Sequence, residues 1–232
     1  VKNKYLIVLP YICAMQKRAI LIGANGLIGS HILEFLIQSD YEEIQLLLRK
    51  EISISNTKIT QRLVDFDRPE TWEDAFEDCS HVFCAIGTTR KKTPNLNDYR
   101  KVDYDIPVNA IKAADKYGAD AFMLVSSVGA DATSKNFYLQ IKGEVEDVLE
   151  GAQIPMKGSF QPSLLLGDRQ EKRFGEWLAR KIMPLFNFII PAAYKAIHAK
   201  DVALAMLRAS KTQKESYQVY QYNEMQKLVK SV

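Results

Sequence analysis

Cysteine and histidine are scarce in this chain, with three of each among 232 residues. Cys13, Cys79 and Cys84 are an odd set without metal-ligand spacing, and His31, His81 and His198 lie far apart. That pattern does not read as a disulfide framework, and it argues against a metal centre. The cysteines fit reduced residues of a cytoplasmic protein. An excess of one charge is missing too. The net charge of +3 is small and scattered, which argues against nucleic acid as a partner. No apolar run is long enough to span a membrane. Residues 5–15 come nearest, but Pro10 interrupts them and only Lys2 and Lys4 precede them. Repeats, low-complexity tracts and linkers are absent as well. Hydrophobic residues make up 47% and charged residues 25%, enough for one full core.

The chain begins with Val, and Met15 stands just before the first expected strand. Residues 1–14 therefore read as an extension, disordered or a start-site artefact. Residues 15–232 read as one domain, with a smaller lobe from about 160 onward over the C-terminal edge of a sheet.

The organising stretch is 18–29, Arg-Ala-Ile-Leu-Ile-Gly-Ala-Asn-Gly-Leu-Ile-Gly. The apolar run 19–22 predicts a buried parallel strand. Gly23, Gly26 and Gly29 follow at a spacing of three, and Leu27, Ile28, Ile32, Leu33 and Leu36 recur at helical spacing. Strand, glycine turn and helix in that order form a dinucleotide-binding context. The segment carrying Gly23, Asn25, Gly26, Leu27, Ile28 and Gly29 is the expected pyrophosphate cradle, with the positive end of the helix aimed at the phosphates.

Further strands are expected at 44–48, 57–64, 81–86, 121–125, 159–166 and 217–220. Helices are expected at 69–76, 99–117 with a kink at Pro107, 139–149, 200–210 and 224–230. Residues 174–182 are amphipathic, and 184–194 are apolar, reading as lobe core or pocket lining. The alternation predicts an α/β fold with a doubly wound parallel sheet, whose ligands bind outside the strand ends.

Candidate functional residues gather at those ends. Arg49 follows Gly29 by 20 residues, where an NAD site would place an acid for the ribose 2′-hydroxyl. Arg49 and Lys50 are cations instead, suited to a 2′-phosphate, so the expected cofactor is NADP(H) rather than NAD. Asp65 and Phe66 could serve the adenine; an Asp capping the next turn is the plain alternative. Tyr138 and Lys142 stand four apart, on one helical face, after Ser126 and Ser127. A lysine ammonium favours phenolate, which suits Tyr138 to proton transfer at a carbonyl oxygen. Ser127, or Ser126 beside it, could hydrogen-bond the same oxygen.

Gly23-x-x-Gly26-x-x-Gly29, Ser126-Ser127 and Tyr138-x-x-x-Lys142 together resemble the short-chain dehydrogenase/reductases. Gly87-Thr88-Thr89-Arg90 and the stretches 126–131, 138–146 and 165–171 narrow the resemblance to an atypical NADP-binding subgroup related to the Tat-interacting oxidoreductase. It implies a Rossmann fold, NADP(H) binding and catalytic roles for Tyr138 and Lys142. It also implies that Arg49 and Lys50 face the adenosine phosphate. The cofactor groove is then expected to run past Ala85, Ile86, Gly87, Thr88, Ser126, Pro162 and Ser163. Two departures stand out. Ala85-Ile86-Gly87 replaces the usual Asn-Ala-Gly, with Asp103 and Asn109 on the next helix and no evident catalytic asparagine. Gln161-Pro162-Ser163 replaces Arg-Pro-Gly.

The expected function is NADP(H)-dependent hydride transfer to or from a small carbonyl or alcohol substrate. The alternative is an NADP(H)-binding regulatory or sensing protein with little turnover. A monomer or homodimer is expected, with a protein partner implied by the resemblance alone.

Overall fold

Nine short strands are present among residues 17–167 and 192–231, the residues that the structure, a computed structural model, describes. The expected extension 1–14, the segment 174–182 and most of 184–194 lie outside them. The strands are β1 (Arg18–Ile22), β2 (Glu43–Leu48), β3 (Ile59–Leu63), β4 (His81–Cys84), β5 (Ala121–Val125), β6 (Met156–Phe160), β7 (Leu165–Leu166), β8 (Ile197–His198) and β9 (Tyr217–Tyr220). Seven form one sheet in the order β3-β2-β1-β4-β5-β6-β9, while β7 and β8 pair apart from it. Every neighbouring pair is parallel, with Ala19 opposite Ile44 on one side and His81 on the other.

Helices cover both faces, which is why the central strands are apolar on both sides. β1 sends Ala19 and Leu21 into one layer and Ile20 and Ile22 into the other. The first layer holds α1 (Leu27–Gln38), α5 (Ala199–Thr212) and α6 (Tyr222–Lys230), packed through Ile32, Leu36, Val202, Met206 and Met225. The second holds α3 (Ile106–Lys116) and α4 (Phe137–Gly151), with Trp72, Phe76, Ile111, Val145 and Leu149 buried. The winding reverses between β1 and β4, the switch point at which open α/β sheets place ligands. This is the doubly wound Rossmann architecture.

Three expected elements differ. Residues 69–76 form two 3₁₀ turns, Pro69–Thr71 and Glu73–Phe76, rather than a helix. Trp72 between them takes φ −142°, outside the helical range, and its ring is fully buried against Phe66 and Phe76. The long helix over 99–117 is α2 (Leu96–Arg100), a π turn (Lys101–Asp105) and α3. The Ile106 amide reaches back five residues to the Lys101 carbonyl, just before Pro107, whose nitrogen has no hydrogen to donate. The strand expected over 159–166 is divided, β6 ending before Pro162 and β7 pairing with β8.

At the sheet end remote from the strand C-termini, His81 is 8% exposed and hydrogen-bonds through Nδ1 to the Tyr41 hydroxyl. Burial holds its imidazole down at about 4. The unfolded chain therefore binds more protons than the folded one between roughly pH 6.5 and 4, so stability falls as pH drops through that window. At roughly 1.4 kcal/mol per pH unit, the loss should reach about 3 kcal/mol. Urea unfolding at pH 7 and pH 4 should show this difference shrinking in His81→Gln; an unchanged pH dependence would exclude His81 as its source.

Candidate cofactor cleft and catalytic residues

The turn leaving β1 is closed by the Gly26 amide donating to the Gly23 carbonyl at 2.8 Å. Gly23 has φ +92°, a conformation that side chains resist. A Cβ on Gly29 would come within 2.0 Å of the Gly23 carbonyl oxygen, so helix and turn touch only because Gly29 carries no side chain. Gly26 is the N-cap of α1, no side chain caps its amides, and no acid lies in its first turn. An uncapped, acid-free helix start fits an anionic pyrophosphate.

A cleft of about 570 Å³ opens at this turn. Among the residues expected at the cofactor, Gly23, Asn25, Gly26, Arg49, Lys50, Phe66, Ala85, Ile86, Gly87 and Thr88 line it. Leu27, Ile28 and Gly29 form the first turn of α1 behind that lining. Asp65 is exposed, outside the lining, and its Oδ1 accepts from the Asp67 amide at 3.1 Å. Sequence reasoning did not place Ala24, Leu47, Leu48, Lys92, Thr93 or Val102 in the cleft. The sequence signal available for Lys92 is the basic, proline-containing stretch 91–97. The lining contains no aspartate or glutamate.

The second group of residues stands at the ends of β5 and β6. Asn136 caps α4 by accepting from the Tyr138 and Leu139 amides at 3.0 and 3.3 Å. The helix then presents Tyr138, Lys142 and Glu146 on successive turns. Tyr138 is half-buried, whereas Lys142 is 4% exposed. Lys142 Nζ lies 3.1 Å from Asp103 Oδ1, and Asp103 Oδ2 accepts from the Thr88 amide at 2.8 Å. Asp103, 1% exposed, sits in the π turn and so ties the lysine to the cleft wall. Burial alone would push the Lys142 ammonium down. The Asp103 carboxylate, joined by Tyr138, outweighs it and holds the group above its ordinary value.

Ser126 is buried, and its hydroxyl has no hydrogen-bond partner among the described residues; Ser127 is half-buried. The Val128 amide donates to the Pro162 carbonyl at 3.1 Å, joining the strand ends, and Ser163 Oγ donates to the Lys195 carbonyl at 2.6 Å. Gln161 Nε2 donates to both Glu146 oxygens at 3.0 Å, and Gln161 Oε1 accepts from Gln221 at 3.0 Å. Burial pushes the Glu146 carboxyl above its ordinary value. Among the described residues, no cluster of histidine, cysteine or acids could hold a metal, and no helix is long and apolar enough to cross a membrane.

A basic, acid-free cleft at the switch point of a Rossmann sheet defines the class: a nicotinamide-dinucleotide-binding protein. The chain belongs to the NAD(P)H-binding family, whose model matches residues 23–154. It is 37% identical to Protein HTATIP2 of Rattus norvegicus, over 72% of this chain and 71% of that protein. It is 33% identical to Protein FMP52-1, mitochondrial, of Scheffersomyces stipitis, over 67% and 70%. In fold it matches MoeE5, solved in complex with UDP-glucose and NAD, at a TM-score of 0.66 and 16% identity over 91% of this chain and 80% of that one. The kinship read from the glycine, serine and Tyr-x-x-x-Lys motifs therefore holds.

The expected cytoplasmic location is corrected by these relatives, since those named FMP52 are labelled mitochondrial. Reduced cysteines were its basis. Cys79 and Cys84 are free and buried, and buried thiols report packing rather than compartment.

Proposed function

We propose that this chain is an NADP(H)-dependent oxidoreductase acting on a small carbonyl or alcohol substrate. The observation that carries the cofactor choice is the cleft lining, which includes Arg49 and Lys50 and no carboxylate. An NAD site needs an acid for the ribose diol, whereas a 2′-phosphate needs cations. When bound, the nicotinamide supplies or accepts the hydride. The chain supplies the rest. The Tyr138 hydroxyl protonates the carbonyl oxygen during reduction and takes the proton back during oxidation. The Ser127 hydroxyl donates a hydrogen bond to the same oxygen. Lys142 keeps a positive charge beside the phenol and faces the nicotinamide ribose. Ser126, Pro162 and Ser163 border that end of the groove.

Arg49→Asp should weaken NADPH by roughly 1.5–3 kcal/mol, the worth of a charge-assisted bidentate contact, and NADH far less. Calorimetry measures both. Equal affinity of the unmutated protein for the two cofactors would overturn the assignment.

One observation favours a second reading, an NADP(H)-binding regulatory or sensing protein with little turnover. The Lys142 ammonium is already paired with Asp103, and Ala85-Ile86-Gly87 stands where the family resemblance implies Asn-Ala-Gly. Carbonyl compounds screened with NADPH separate the two. Substrate-dependent NADPH oxidation supports the enzyme, and tight binding without oxidation by any compound supports the sensor.

A further inference from the structure

The loop between β4 and α2 carries three consecutive cations, Arg90, Lys91 and Lys92, all exposed. Only Lys92 lines the cleft, together with Thr93. The loop is built to hold that residue in place. The Lys92 and Thr93 amides both donate to the Thr89 carbonyl at 2.9 Å. The Thr88 and Thr93 hydroxyls pair at 2.8 Å across its base. The Tyr99 hydroxyl and Asp103 carboxylate anchor Thr88 through its carbonyl and amide, at 3.3 and 2.8 Å.

The sheet order shows what this arrangement faces. β2 and β4 flank β1, so Arg49 and Lys50 leave on one side of the glycine turn and the Lys92 loop leaves on the other. Cations from both sides thus line one cleft without any acid among them. A site for a single pyrophosphate is already served by the uncapped start of α1. A second anionic group accounts for cations on both walls.

We infer that Lys92 is a further specificity residue of this cleft, closing on the 2′-phosphate of NADP(H) opposite Arg49 and Lys50. This rests on the NADP(H) reading above. Lys91 is the internal control, having the same charge and the same loop but no place in the lining.

The test is calorimetry of NADPH, NADH and 2′,5′-ADP with the parent chain, Lys92→Gln and Lys91→Gln, with thermal melts confirming that each variant folds. Loss of one charge-assisted contact should weaken NADPH and 2′,5′-ADP by about tenfold in Lys92→Gln. NADH should change by less than about twofold, and Lys91→Gln should behave as the parent does, as screened surface charges do. Trypsin gives a second readout, because NADPH should slow cleavage after Lys92 more than NADH does. A parent that prefers NADPH while Lys92→Gln matches Lys91→Gln overturns the Lys92 assignment alone. A Lys92→Gln variant that loses NADH equally overturns it as well. A parent without preference for NADPH overturns the NADP(H) reading, and this inference with it.

Discussion

Tyr138→Phe is expected to lower turnover of a carbonyl substrate by roughly 10²–10⁴-fold, the contribution of a positioned general acid. The ring stays and only the hydroxyl leaves, so NADPH affinity and thermal stability should match those of the parent. Tyr138 opens α4 one turn before Lys142, and the Asn136 cap fixes that register. Lys142→Met should differ by weakening NADPH as well as turnover, because it removes a ribose contact along with the charge. The measurement is NADPH oxidation at saturating cofactor, beside a binding titration for each variant. A Phe variant turning over at the parental rate would remove Tyr138 from the chemistry. A loss of binding equal to the loss of rate would assign it to cofactor positioning instead.

The second large effect concerns the buried pair under that site. Asp103→Leu leaves the Lys142 ammonium 4% exposed and without its counter-charge, and takes the acceptor from the Thr88 amide. Breaking a buried pair from one side costs roughly 3–5 kcal/mol, because the remaining charge is stranded. The double variant Asp103→Leu/Lys142→Met removes both charges and should recover most of that loss. Asp103→Asn keeps the shape and an acceptor for Thr88, so it should fall between. Urea unfolding of the parent, Asp103→Leu, Lys142→Met and the double variant gives the coupling energy directly. A single variant costing less than about 1 kcal/mol would mean that water or another group takes over from Asp103.

Much of this was legible in the chain itself. β5 and β9 are bounded as expected, and β1 is longer by one residue. These are apolar or β-prone runs with abrupt ends, and the turn after β1 is set by Gly23, for which few other residues would serve. β6 was misplaced because its first half does not look like a strand. Lys157 is buried there, with its ammonium donating to the Glu150 and Ala152 carbonyls at the end of α4. Gly158 lies where a Cβ would meet Met123 Sδ at 2.9 Å. Such residues are chosen by neighbours remote in sequence, which periodicity cannot register. The same holds at the site. Arg49, Lys50, Tyr138 and Lys142 stood out by type and position. Asp103 was visible only as an acid on a helix, since its value depends on a π turn that brings it to Lys142. Glu146 and Gln161 find each other across two elements, and no spacing rule joins them.

The two layers of the sandwich also differ in when they can be completed. Among the described residues, the fully buried ones of the α3–α4 layer lie between Ile20 and Ile154, with Tyr217 packed on their margin, whereas those of the α1 layer run on through Val202, Met206 and Ala209 to Met225. During synthesis, one side of the sheet can therefore close while the apolar face of α1 still lacks α5. At about 5–20 residues per second, the roughly 58 residues from Ile154 to Thr212 take about 3–12 s to add. Throughout that interval Ile32, Leu33 and Leu36 offer a bare greasy stripe to chaperones or to other nascent chains. The vulnerable moment in the life of this molecule thus falls between the synthesis of β6 and that of α5, on the face opposite α3 and α4, and slow codons between the two segments would lengthen it.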